Sequence, residues 1–122
     1  MRGAVLAGLL MLALLGPAPA ASPEIPAAAD RVLWCASAFF WLAGSAADSG
    51  DDEEAGQYDG WADQLTRQGA ALLHDHGVAS GRIEEIIAEY DQQVLDELAA
   101  RTGHHDVVDC PALLAPAPAT PG

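Results

Sequence analysis

From Val32 to Ala47 the chain runs for sixteen residues without a charge, VLWCASAFFWLAGSAA, in a sequence that holds eighteen acids. Val32, Cys35, Ala36, Phe39, Ala43 and Ala47 recur at helical spacing, and Leu33, Trp34, Phe40, Trp41 and Leu42 fill much of the remaining circumference. A helix that is apolar nearly all round is covered on several sides. Spanning a bilayer takes roughly 20 predominantly apolar residues, and Ser37, Gly44 and Ser45 dilute this stretch further. It reads as the central helix of a small core, beginning at Pro26, suited to a first helical position, and running to about Asp48. The remaining elements must wrap around it.

Two further helical patterns follow. Ser49 to Glu54, SGDDEE, reads as a turn and an acid-rich first helical turn, favoured at the positive end of a helix dipole. The same acids do not make a calcium loop, because D-S-G-D-D-E from Asp48 lacks the Asp or Asn required at the third position and the glycine required at the sixth. The second helix is expected to reach about His76, with Tyr58, Trp61, Leu65, Leu72 and His76 on one stripe and Gly77 just past its end. Gly56, Gly60 and Gly69 weaken it, each by about 0.8–1 kcal/mol relative to Ala, and give the first helix room to approach. Ser80 reads as the cap of a third helix ending near Arg101 and Gly103, with Ile83, Ile86, Ile87, Tyr90, Val94 and Leu98 as its apolar stripe. No strand-like alternation of useful length appears. The expected fold is all-α: a small antiparallel bundle of three main helices with a short C-terminal closing segment near Pro111 to Leu114.

The chain opens MRGAVLAGLLMLALLGPAPAAS. Arg2, an apolar run from Ala4 to Leu15, and Ala18-Pro19-Ala20 as a cleavage site form the pattern of a secretory signal peptide, residues 1–20. Cutting after Ala20 leaves a single helical domain over 21–114 and a Pro/Ala tail over 115–122. Proline removes donors and fixes φ in that tail, and nothing in it is apolar enough to pack. No membrane span is expected after cleavage. All the acids fall after the cut, against four arginines and no lysine, which leaves a formal charge of −14. Such a surface repels nucleic acid and anionic lipid and favours a basic protein surface as partner. The absence of Asn and the abundance of Ala read as the coding bias of a GC-rich bacterium, and with the leader they point to a periplasm or the cell exterior.

Cys35 and Cys110 are the only cysteines. Neither lies in a C-x-x-C spacing or beside a visible base, and apolar surroundings quiet a thiol. In an oxidising compartment they are expected to form one disulfide. From Arg101 to Cys110 the chain can extend roughly 30 Å, enough to fold back along the first helix to Cys35.

The histidines come as H-D-H, His74 and His76, and H-H-D, His104 and His105. Beside acids they are candidate Zn or Cu ligands. In an antiparallel bundle, however, the ends of the second and third helices lie opposite each other, so the two pairs do not share a site. His74 and His76 read as favourable charges near a helix C-terminus, and His104-His105-Asp106 as a polar turn. No metal and no cofactor is expected. With no G-x-S-x-G, H-E-x-x-H or phosphate loop, no catalytic residue is assigned and the protein is expected not to be an enzyme. Trp34, Phe40 and Trp41 exceed what one helix face needs and are the candidate partner-binding residues.

The layout of a leader, W-C-A early in the first helix and Asp109-Cys110-Pro111-Ala112-Leu113 near the end resembles the small exported two-cysteine helical proteins of Gram-negative bacteria. The resemblance spans the mature domain and implies export and a helical fold, but no particular functional residue. Three readings of function follow. The first is an exported, non-catalytic domain that binds another protein, of inhibitor, chaperone or envelope-accessory type. The second is a metal binder using the His clusters. The third is a small-molecule binder or enzyme with a pocket beside the aromatic-rich first helix.

Overall fold

The computed structural model describes residues 24–115. The signal peptide expected over 1–20 lies outside the described residues, as does all of the expected tail except Ala115. The elements are α1 (Ala27–Asp48), α2 (Asp52–Asp75), α3 (Ser80–Ala100) and a 3-10 helix (Val107–Leu113), with no strand among the described residues. The links between the long helices are short, so consecutive helices run antiparallel. The protein is all-α, a three-helix bundle closed by a short C-terminal segment.

The uncharged stretch is indeed the centre. Every residue from Val32 to Phe39 is buried, over two turns of α1. α2 covers it with Ala62, Leu65, Gly69 and Leu73, and α3 with Ile83, Ile86, Tyr90 and Val94. Both sets step by three or four residues, one stripe of a 3.6-residue helix. The stripe on α2 differs from the expected one. Leu65 belongs to it, but Tyr58, Trp61 and Leu72 are only partly buried and His76 is exposed. The buried stripe instead runs through Leu65 and Leu73 with Ala62 and Gly69 between and beside them.

Gly69 marks a close approach of α1 to α2. A Cβ built on it would stand 2.5 Å from Leu33 Cδ2 and 2.8 Å from Leu33 Cγ. Leu33 is itself 1% exposed and has nowhere to retreat. Gly56 and Gly60 meet nothing within 4 Å, so only one of the three glycines serves helix approach. Substitutions therefore have opposite signs along one helix. Gly69→Val is expected to destabilise by about 1–3 kcal/mol through overpacking. Gly56→Ala and Gly60→Ala are each expected to add up to about 1 kcal/mol through helix propensity. Urea unfolding midpoints of the three variants check this.

The helix ends refine the expected boundaries. Pro26 is the N-cap of α1 rather than its first residue. Asp51 caps α2 by accepting the Glu54 N–H at 3.0 Å, with Asp52, Glu53 and Glu54 in the first turn. Ser80 does not cap α3. It is the first helical residue, and Ala79 precedes it in an extended conformation without a side-chain cap. At the other end Arg101, not Gly103, takes the left-handed turn at φ 59°. Gly103 serves a different need, because a Cβ there would lie 2.9 Å from both the His105 carbonyl oxygen and Trp34 Cζ2. The chain after α3 is thereby pressed onto Trp34. Cys35 and Cys110 form a disulfide with Cα atoms 5.5 Å apart, binding the 3-10 helix to α1. No helix of the described residues is long and apolar enough to cross a membrane.

Candidate functional site

A pocket of about 610 Å³ lies at the disulfide end, and its lining includes Arg31, Trp34, Glu97, Arg101, His104 and His105. Its chemistry begins on α1. Asp30 and Trp34 are four residues apart and so share a face. α3 brings Tyr90 and Glu97, seven apart, to the same end. The loop between α3 and the 3-10 helix, held by Gly103 at its start and Cys110 beyond its end, lays His104 and His105 against them. Both imidazoles make T-shaped contacts with Trp34, with ring centroids 6.2 Å and 5.7 Å away.

Asp30 is the hub. Its Oδ1 accepts the Tyr90 hydroxyl at 2.5 Å, and its Oδ2 lies 2.9 Å from His105 Nε2 and 3.2 Å from His104 Nε2. Glu97 is a second hub. Its Oε1 accepts the Trp34 indole N–H at 3.0 Å and the His104 backbone N–H at 3.0 Å, and faces His104 Nδ1 at 3.1 Å. Its Oε2 accepts from Gln93 Nε2 at 2.6 Å. Burial pushes the Asp30 carboxyl up, but bonds from Tyr90 and His105 and the nearby His104 outweigh it and hold Asp30 below its ordinary value. Glu97 is also held low, its burial outweighed by the bonds from Gln93, Trp34 and His104. Tyr90 is driven above the ordinary phenol range by burial, by its bond to Asp30 and by the charges of Asp30 and Glu97, and so remains a donor.

These directions fix the sign of the acid response. A carboxyl whose folded value is depressed contributes stability that is complete above its unfolded value and lost as pH falls through the folded one. Ordinary values of 3.8 for Asp30 and 4.5 for Glu97 place the onset near pH 4.5, with the loss deepening at lower pH. The Asp30→Asn, Glu97→Gln double variant is expected to be less stable than the wild type at pH 7 and to lose less on going to pH 3. Thermal melts of both proteins across that range measure it. Parallel curves would contradict it.

The structure sorts the candidates named from the sequence. His104 and His105 come together in a bend folded against α1, with His104 exposed and His105 half-buried. His74 and His76 end α2 elsewhere, where the exposed His74 ring lies 3.8 Å from Asp75. The partners Asp30, Tyr90 and Glu97 were missed. Tyr90 reads simply as stripe, and Glu97 as a member of the wet face. Asp30 carried one local signal, an acid one turn before Trp34 at the mouth of an uncharged run.

The aromatic candidates also divide. Trp34 is 1% exposed, which overturns it as a partner-contacting side chain, because α3 and the histidine loop close over it. Trp41 is half-buried and donates its indole N–H to the Asp91 carbonyl at 2.8 Å. Phe40 is 47% exposed and packs edge-on against Trp41, centroids 5.0 Å apart. It lines a groove of about 320 Å³ between α2 and α3, with Ala36, Ala62 and Ile87 inside and Asp59, Asp63, Thr66 and Asp91 around it. Comparison with protein-family models, with curated proteins and with solved structures finds no match.

Proposed function

We propose that this chain is an exported, non-catalytic helical domain that binds another protein through the Phe40 groove, and that its partner is a cationic amphipathic helix. The observation that carries the reading is a large aromatic side chain 47% exposed in a groove flanked by aspartates. An amphipathic helix lying between α2 and α3 would cover Phe40 with its apolar face. Its basic side chains would meet Asp59 and Asp91, and the overall charge of −13 would speed the encounter. Asp63 already pairs with Arg67 and contributes less. Export is supported by the leader pattern and by the buried disulfide, and sequencing the mature N-terminus should find Ala21.

The test is a fluorescence titration with a synthetic Lys/Arg-rich amphipathic helix, using Trp41 as reporter. Covering one exposed Phe is worth about 1.5–3 kcal/mol, so Phe40→Ser should weaken binding at least about tenfold. Salt should weaken it further. Equal binding by Phe40→Ser, or by a scrambled peptide of the same charge, would defeat the reading.

A further inference from the structure

We propose that Asp30, His104 and His105 form a binding site for a divalent transition metal, Zn²⁺ in the first instance, with Glu97 positioning His104 from its outer side. The site is independent of the Phe40 groove. One ligand atom from each of the three residues lies within 4.8 Å of the other two. Around a tetrahedral zinc with bonds of about 2.0–2.1 Å, ligand atoms sit about 3.3 Å from one another. The His104 Nε2 to Asp30 Oδ2 distance is already 3.2 Å, and that from His105 Nε2 is 2.9 Å, so a small opening of the cluster admits the ion.

The hydrogen-bond pattern of His104 points the same way. Both its ring nitrogens face carboxylate oxygens, Nδ1 toward Glu97 and Nε2 toward Asp30. A neutral imidazole has only one N–H to give. In that form the other nitrogen's lone pair faces a carboxylate oxygen, and a cation placed there, a proton or a metal ion, relieves the repulsion. A metal held by Nε2, with Nδ1–H donated to a fixed carboxylate, is the arrangement by which metal-ligating histidines are oriented. Glu97 suits that outer role because Trp34, Gln93 and the His104 backbone already hold it in place.

Two imidazoles and one carboxylate are the donor set of zinc and copper sites rather than of calcium or magnesium. Both cysteines are bonded, so no thiolate competes for the ion. The side chains of His104, His105 and Asp30 remain 30%, 19% and 15% exposed, and the two histidines line the pocket, which leaves an entry path and room for an outside fourth ligand. Arg31 and Arg101 in the lining favour an anion or water in that position and oppose a second cation.

The experiment is calorimetric titration of the chelator-stripped, oxidised chain with Zn²⁺. One saturable site is expected, lost in His104→Ala and in His105→Ala and unchanged in the His74→Ala, His76→Ala double variant. Glu97→Gln should weaken it by about 10–100-fold, with far-UV circular dichroism showing that each variant stays helical. A second measurement needs no variant. Substoichiometric Cu²⁺ should broaden the amide signals of Asp30, His104 and His105 first. Absence of saturable zinc binding, zinc binding that survives loss of either loop histidine, or broadening that starts at His74 and His76 would each overturn the proposal.

Discussion

Reduction of the Cys35–Cys110 bond is expected to lower the unfolding free energy of this domain by about 4 kcal/mol. The cysteines are 75 residues apart in sequence, so the bond closes a loop that takes in most of the helical domain. In the chain-entropy model, closing a loop of that order removes about 4 kcal/mol worth of freedom from the unfolded state. Small domains retain only about 5–15 kcal/mol in all, so the reduced protein should be marginal at physiological temperature. The oxidised form should resist reductants while folded, since Cys110 is 0% and Cys35 2% exposed. Urea titrations of the oxidised and reduced forms, analysed with a common slope, measure the difference. A loss below about 1 kcal/mol would show that α1 and the 3-10 helix hold together without the bond, and that the unfolded chain is far from random.

Trp34→Ala should be the most damaging single substitution outside the cysteines, at about 3–5 kcal/mol. The ring is among the largest fully buried side chains, and it also floors the histidine pocket. Removing it leaves a cavity beneath His104 and His105 and takes one donor from Glu97. Trp34→Phe separates the two effects. It keeps most of the packing but loses the indole N–H, leaving a half-buried carboxylate short of one partner, for an expected loss of about 1–3 kcal/mol. Thermal or urea unfolding of both variants ranks them. If Trp34→Phe were as severe as Trp34→Ala, the hydrogen bond to Glu97 would outweigh the packing of the ring.

The helical architecture was legible in the sequence because helical spacing is a local property. Ile83, Ile86, Tyr90 and Val94 declare a buried stripe without reference to any partner. The uncharged run from Val32 declares a helix covered on several sides in the same way. Helix ends were less legible. Ser80 is a good capping residue, yet the helix begins on it, and Gly103 stands past a turn made by Arg101. There packing against Trp34, rather than backbone preference, selects the glycine.

The sequence by itself determined the fold class, the central role of α1, the covalent partner of Cys35 and the acidity of the surface, since each follows from spacing, composition or the count of cysteines. Tertiary structure alone decided which side chains meet. The hydrogen-bonded cluster at the disulfide end draws on positions 30, 34, 90, 97, 104 and 105, and its central contact, Asp30 with His105, spans 75 residues. No periodicity links such positions. It also decided that Trp34 lies inside while Phe40 lies outside, though both belong to one uncharged run. Six residues on a helix turn through about 600°, so the two rings point in different directions. Which direction faces water depended on where α2, α3 and the histidine loop came to rest.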